Sequence, residues 1–273
     1  MSRRKLFNVF KQIPSLVIGM IHVRALPGTA RHSLSMKKIK DIALSEVDIY
    51  AECGIDGIII ENMHDLPYIC GENIGPEIVA SMASVTTTIK TKFPEIPTGI
   101  QILKAGNIQS MAVAHSTGCD FIRAECFAFS HISDAGWVNA SAGELLRYRK
   151  QIGAEDILIF TDIKKKHSSH SITSDLSVVE SGQGAEFFLS DGLVVTGTKT
   201  GSAANQNEIK DLQSAVDIPV LVGSGVTTEN VHQFVNADAL IVGSHFKAGG
   251  LWSNEMEHSK VKNFMEKVKE LRT

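Results

Sequence analysis

The chain has 273 residues, 43% of them hydrophobic and 21% charged, with a formal net charge of −3. This is globular usage, which excludes a disordered or fibrous chain, and the length fits one β/α barrel of about 250 residues or two smaller domains. No apolar run approaches the ~18 residues that a bilayer crossing needs, so the protein is not expected to be membrane-embedded.

Charge is uneven. Residues 1–40 hold nine Lys/Arg and no acid, while the other 233 carry 18 basic and 30 acidic side chains. The dense basic clusters are Arg3-Arg4-Lys5 and Lys164-Lys165-Lys166, too small and too separate for the continuous basic face that nucleic acid requires, so no nucleic-acid partner is expected. Cys53, Cys70, Cys119 and Cys126 show no Cys-x-x-Cys spacing and fit a reducing compartment.

In chain order, the first 14 residues carry four basic and no acidic side chains beside Leu6, Phe7, Val9 and Phe10, and end at Pro14. Two readings stay open for residues 1–14: a mitochondrial targeting segment, because a basic amphipathic helix is drawn to a negative membrane interior, or a cap on a barrel bottom. The first implies a mitochondrial location, with the cytoplasm as the alternative, and little contribution of the segment to stability. Eight short apolar runs follow at 16–22, 57–62, 98–103, 121–125, 157–162, 193–197, 220–223 and 239–243. Runs such as Ile58-Ile59-Ile60 and Ile157-Leu158-Ile159-Phe160 are continuously apolar, which fits a parallel sheet buried on both faces. Helical spacing fills the gaps, as in Ile39, Ala43, Val47 and Tyr50, and in Val261, Phe264, Met265, Val268 and Leu271. Eight such units over residues 15–273 predict a single-domain (β/α)8 TIM barrel; an open doubly wound sheet is the alternative.

In such a barrel the chemistry sits at the C-terminal ends of the strands. That rule selects His22, Glu61, Arg123, Asp162, Lys166 and His167 as candidate catalytic groups, combining proton carriers with cations. Asp162 and His167 are expected to lie close together, and Asp162→Asn to remove activity without harming the fold. Gly197, Gly223, Ser224, Gly225, Gly243 and Ser244 close the sixth, seventh and eighth strands. Glycine lets backbone amides approach a phosphate without a Cβ in the way, and helices expected to start at Thr228-Glu229-Asn230 and near Phe246-Lys247 would add dipole charge. The expected ligand is therefore a small phosphorylated molecule. A divalent metal held by His22, His167 and His170 with Asp162 or Glu61 is the weaker alternative, since no local ligand spacing supports it. Lys164 to Lys166 read as a solvated loop, which argues against an imine-forming lysine. The sequence leaves the oligomeric state open, a homo-oligomer included.

Several motifs in one order, His22 to Gly28, Glu61-Asn62 with Asp65 and Pro67, Asp162-Ile163-x-x-Lys166-His167, Thr196-Gly197-x-x-Thr200-Gly201 and Gly223-Ser224-Gly225-Val226, resemble the BtpA family over about residues 15 to 270. The resemblance implies a β/α barrel whose family name comes from photosystem I accumulation in cyanobacteria, a role that cannot be general because relatives occur in non-photosynthetic organisms. It marks the barrel mouth more firmly than it names an activity. The mouth residues themselves point to an enzyme (lyase, isomerase or hydrolase) acting on a sugar or nucleoside phosphate, and the family name suggests the alternative, a non-catalytic assembly factor for a membrane-protein complex. Two positions depart from the family pattern. Lys104-Ala105-Gly106-Asn107 stands where a basic or Asn residue followed by Asn-Asp is expected, and Arg123-Ala124-Glu125 where relatives tend toward Arg-x-Asn, so a carboxylate is missing from one place and Glu125 gained in another.

Overall fold

A computed structural model describes residues 2–197 and 202–272, so Thr200 and Gly201 of the sixth-strand motif lie outside the described residues. Eight parallel strands form: β1 Leu16–His22, β2 Gly57–Glu61, β3 Thr98–Gln101, β4 Phe121–Ala124, β5 Leu158–Ile163, β6 Gly192–Val195, β7 Val220–Val222 and β8 Ala239–Val242. Each pairs with the next, and β8 returns to β1 with Leu16 opposite Ala239, which closes the barrel and excludes the open sheet. Helix α1 (Ser2–Val9) precedes the barrel. Around it lie α2 (Met36–Cys53), α3 (Pro76–Lys92), α4 (Asn107–Thr117), α5 (Ala142–Gln151), α6 (Val178–Phe187), α7 (Gln206–Ala215) and α8 (His258–Leu271).

The strand parity builds two cores. Val17 and Ile21 of β1, Ile58 and Ile60 of β2, and Phe264 and Val268 of α8 join the sheath between strands and helices. Alternate residues, Leu16, Ile18, Met20, Ile59, Phe121, Phe160, Val194, Leu221 and Ile241, fill the barrel interior. Both strand faces are thus buried, which is why the runs read as continuously apolar rather than alternating.

Leu6 and Phe10 belong to the interior core, with the Phe10 ring 5.6 Å from that of Phe121. Lys5 pairs with Asp191 at 2.8 Å, and Asp191 also holds Arg149 at 2.8 Å. The segment therefore plugs the barrel bottom, and the expectation that it adds little to stability is corrected by this packing. Phe10→Ala is expected to cost about 3–5 kcal/mol in a urea titration, because the barrel floor cannot collapse into the vacated volume; a change within error would return the segment to a loosely attached terminus.

Two departures shape the mouth. Between β7 and β8 the described chain makes only a 3-10 turn, Val231–Gln233, and β8 is followed by short turns at Ser244–Phe246 and Ala248–Gly250 before α8. The helices expected at Thr228 and near Phe246 do not form, because the seventh crossover is too short for both a loop and a helix and Thr227 N is taken by the Asn230 side chain at 2.8 Å. After β4, a hairpin of His131–Ser133 and Gly136–Val138 joins Ser168–Ser169 in a three-stranded antiparallel sheet. Nothing in the strand periodicity announces it.

Candidate functional site

The inward parity of the interior core continues past its apolar layers to the strand ends. It delivers His22, Glu61, Gln101 and Arg123 from β1 to β4, and only glycine, Gly223 and Gly243, after β7 and β8; all six line one cavity of about 430 Å3. His22, Glu61 and Gln101 stand in register across β1, β2 and β3. Large polar groups on one side and absent side chains on the other make a lopsided, hollow mouth of the size that small ligands occupy.

The two glycines have a specific use. A Cβ on Gly223 would sit 3.3 Å from Arg123 Nη2 and 2.5 Å from Val194, and a Cβ on Gly243 would sit 3.1 Å from His22 Nε2. Arg123 and His22 thus lie against the β7 and β8 ends. Gly197 and Gly225 act differently: a Cβ on either would come within 2.2 Å of the Ser202 backbone, so both seat the 202–203 segment. Gly225 also needs its φ of +68°. The Ser224 hydroxyl accepts from Gly197 N at 2.8 Å and donates to the Ser202 carbonyl at 3.0 Å, so neither Gly197 N nor Ser224 Oγ is left for a ligand. These contacts correct the expectation that all of these glycines and serines serve a phosphate directly. Among the described residues, the amides of Ser224, Gly225 and Val226 donate to no protein acceptor, and all three residues, with Ser244, line the cavity.

Three of the cations at the mouth have carboxylate partners. Arg123 donates through Nε (3.2 Å) and Nη2 (2.7 Å) to Asp162 Oδ1. Lys104 pairs with Asp134 at the hairpin tip at 2.7 Å, and the buried Lys165 pairs with Glu125. Asp162 does not line this cavity, and among the described residues its Oδ2 has no hydrogen-bond partner. Asp162, expected to lie close to His167, is engaged by Arg123 and forms no ion pair with that histidine, while His167 is exposed at the rim, close enough to Lys104, Lys166 and Asp134 to feel their charge. Lys165 and Lys166 are not in a solvated loop either. Lys165 is 6% exposed, and Lys166 faces the cavity with its pKa pushed down to about 8 by burial and by the positive charge of Arg123.

His22 and Glu61 form a proton-handling pair. His22 Nδ1 lies 3.1 Å from the Trp252 carbonyl oxygen and donates to it, so Nε2 carries the lone pair, 3.8 Å from Glu61 Oε2. Burial, and then the charge of Lys247, depress the His22 pKa to about 3, keeping the ring neutral. Burial raises the Glu61 carboxyl above the usual range against the opposing pull of Arg123 and Lys166. With the His22 ring held neutral and the Glu61 carboxyl raised, Glu61 is the member of the pair able to give and take a proton, and His22 is its neutral neighbour. The metal set does not assemble: no three His, Cys, Asp or Glu side chains converge among the described residues, and His170 Nε2 is taken by the Lys165 carbonyl at 2.8 Å.

The model of the BtpA family matches residues 14–270. The chain belongs to the BtpA family. A Caenorhabditis elegans protein named as uncharacterised and mitochondrial is 49% identical over 261 residues, 94% of each chain. The photosystem I biogenesis protein BtpA of Synechocystis is 30% identical over 267 residues, covering 97% of this chain and 91% of its own. In fold, this BtpA-family chain is similar to (S)-3-O-geranylgeranylglyceryl phosphate synthase from Thermoplasma acidophilum, solved with sn-glycerol-1-phosphate, at a TM-score of 0.61 and 14% identity over 99% and 98% of the two chains.

Both departures from the BtpA pattern now have a place. Glu125 accepts from Ala105 N at 2.6 Å and pairs with Lys165, while Asn107 holds the Glu125 backbone on both sides, Nδ2 donating to its carbonyl at 2.7 Å and Oδ1 accepting from its amide at 3.1 Å. Glu125 therefore supplies the charge that balances Lys165. The residues that escaped sequence reading are Gln101, Lys165, Tyr68, Asp134 and Trp252. Gln101 was reachable by parity from Gly99. Trp252 arrives on a loop after the last strand, and no periodicity predicts that its carbonyl will orient His22.

Proposed function

We propose that this barrel is an enzyme acting on a small phosphorylated metabolite, a sugar or nucleoside phosphate, through acid/base chemistry at the C-terminal face. The reading rests on one observation: among the described residues, the amides of Ser224, Gly225 and Val226 are unspent, and these residues line the same cavity as Arg123. Backbone amides and a guanidinium around one hollow suit a phosphate, which takes several donors at once. Glu61 and His22 then stand where the rest of a phosphate-anchored molecule would lie. Glu61 exchanges the proton, the neutral His22 supports it, and Arg123 stabilises developing negative charge. Proton transfer of this kind serves isomerase, lyase and hydrolase chemistry alike.

A thermal-shift screen of phosphorylated sugars and nucleotides against their unphosphorylated counterparts, with and without divalent metal, tests the reading. A phosphorylated ligand at about 100 times its Kd adds ~2.7 kcal/mol of stability. Equal shifts from both forms, or none, would remove the phosphate. We also propose a mitochondrial location, supported by the acid-free basic start of the chain and by the name of the C. elegans relative. A cytosolic distribution of the full-length chain in fluorescence imaging would refute it.

A further inference from the structure

Among the described residues, Lys166 stands apart from the other lysines and the arginine lining the mouth. Arg123, Lys104 and Lys165 each have a carboxylate partner, whereas Lys166 Nζ has no hydrogen-bond acceptor and no carboxylate within ion-pair distance. Its backbone amide is fastened to Thr196 Oγ1 at 3.3 Å, which ties its position after β5 to the end of β6. A lysine used only to balance charge would be expected to have a partner, and the neighbouring Lys165 has one.

We propose that Lys166 is a nucleophile that forms an imine with a carbonyl group of the substrate. This rests on the phosphorylated-substrate reading and narrows it to phosphorylated aldehydes or ketones. A lysine desolvated beside other cations gives up its proton readily, which is what a nucleophilic amine needs; burial and Arg123 push Lys166 in that direction. The neutral amine adds to the carbonyl carbon. One nitrogen proton passes to the former carbonyl oxygen, with Glu61 as carrier. A second proton, from a protonated Glu61 or from water, lets that hydroxyl leave as water and leaves a protonated imine. The imine draws electrons from the adjacent carbon, where a C–H or C–C bond can then break.

The test is borohydride trapping on the full chain with dihydroxyacetone phosphate and ribose 5-phosphate, followed by peptide mass mapping, with thermal shift measured in parallel on the same probes. The expected result is an adduct at residue 166 whose added mass is that of the probe minus one oxygen, the sum of water lost on imine formation and two hydrogens gained on reduction. It should be suppressed by inorganic phosphate and lost in Lys166→Met and Lys166→Arg, while Lys166→Arg keeps the thermal shift. A thermal shift without a label at residue 166 overturns the imine and leaves Lys166 as an anion-binding cation. Neither shift nor label overturns the phosphate reading along with it.

Discussion

Replacing Asp162 by leucine will lower the stability of the barrel by about 3–5 kcal/mol, and adding Arg123→Met will restore most of that loss while abolishing binding of phosphorylated ligands. The Arg123–Asp162 pair is buried on both sides, and a buried charge stripped of its partner costs far more than a buried pair replaced by apolar groups of similar volume. Asp162 Oδ1 receives two donors from Arg123, so the carboxylate fixes the guanidinium against the β7 end, where a Cβ on Gly223 would nearly touch it. Asp162→Asn keeps an acceptor oxygen but loses the charge, so it too should destabilise, contrary to the expectation of an intact and inactive fold. Urea titrations of the single and double variants, with calorimetric titration of the phosphorylated ligand, decide the point. A stable single variant that merely loses activity would return Asp162 to a catalytic role.

The barrel was legible because its signal is periodic. Eight apolar runs, each needing burial on both faces, admit few arrangements, and the strand ends then mark the mouth. Within the mouth, His22, Glu61 and Arg123 were also legible, since each lies an even number of residues from an inward apolar neighbour: Met20, Ile59 and Phe121. Asp162 has the same parity from Phe160, and parity misled there, because it gives the direction of a side chain but not its partner. Gly197 and Gly225 misled for a related reason. A glycine at a loop records that something comes close, and only the three-dimensional path of residues 202–203 shows that the neighbour is this chain's own backbone. Lys165 and Trp252 were hidden by the loops that carry them, and so was the burial of Lys166, which the strand-end rule had selected. A lysine run reads as solvated unless a hairpin such as His131–Val138, which follows β4, is known to fold over it.

Glu61→Gln will lower turnover of the phosphorylated substrate by roughly 10^2–10^4, the usual contribution of a positioned proton carrier, while leaving its binding within a few-fold. Gln keeps the size and a hydrogen-bonding oxygen, so the amides of Ser224 to Val226 and the Arg123 guanidinium still meet the phosphate. What disappears is the proton. The measurement is incorporation of deuterium from D2O at the carbon next to the carbonyl of a phosphorylated ketone, followed by NMR, a readout common to isomerase and lyase chemistry. The pH profile separates Glu61 from His22. Burial raises the Glu61 carboxyl, so exchange should climb with pH through a limb lying above 4.5, the ordinary glutamate value, because only the ionised form accepts a proton. His22, depressed to about 3, is neutral across that range and adds no limb of its own. In Glu61→Gln the acid limb should vanish together with the rate. If the limb survives in Glu61→Gln, some other group takes the proton; if Glu61→Gln exchanges at the native rate, Glu61 only shapes the cavity and the acid/base assignment falls.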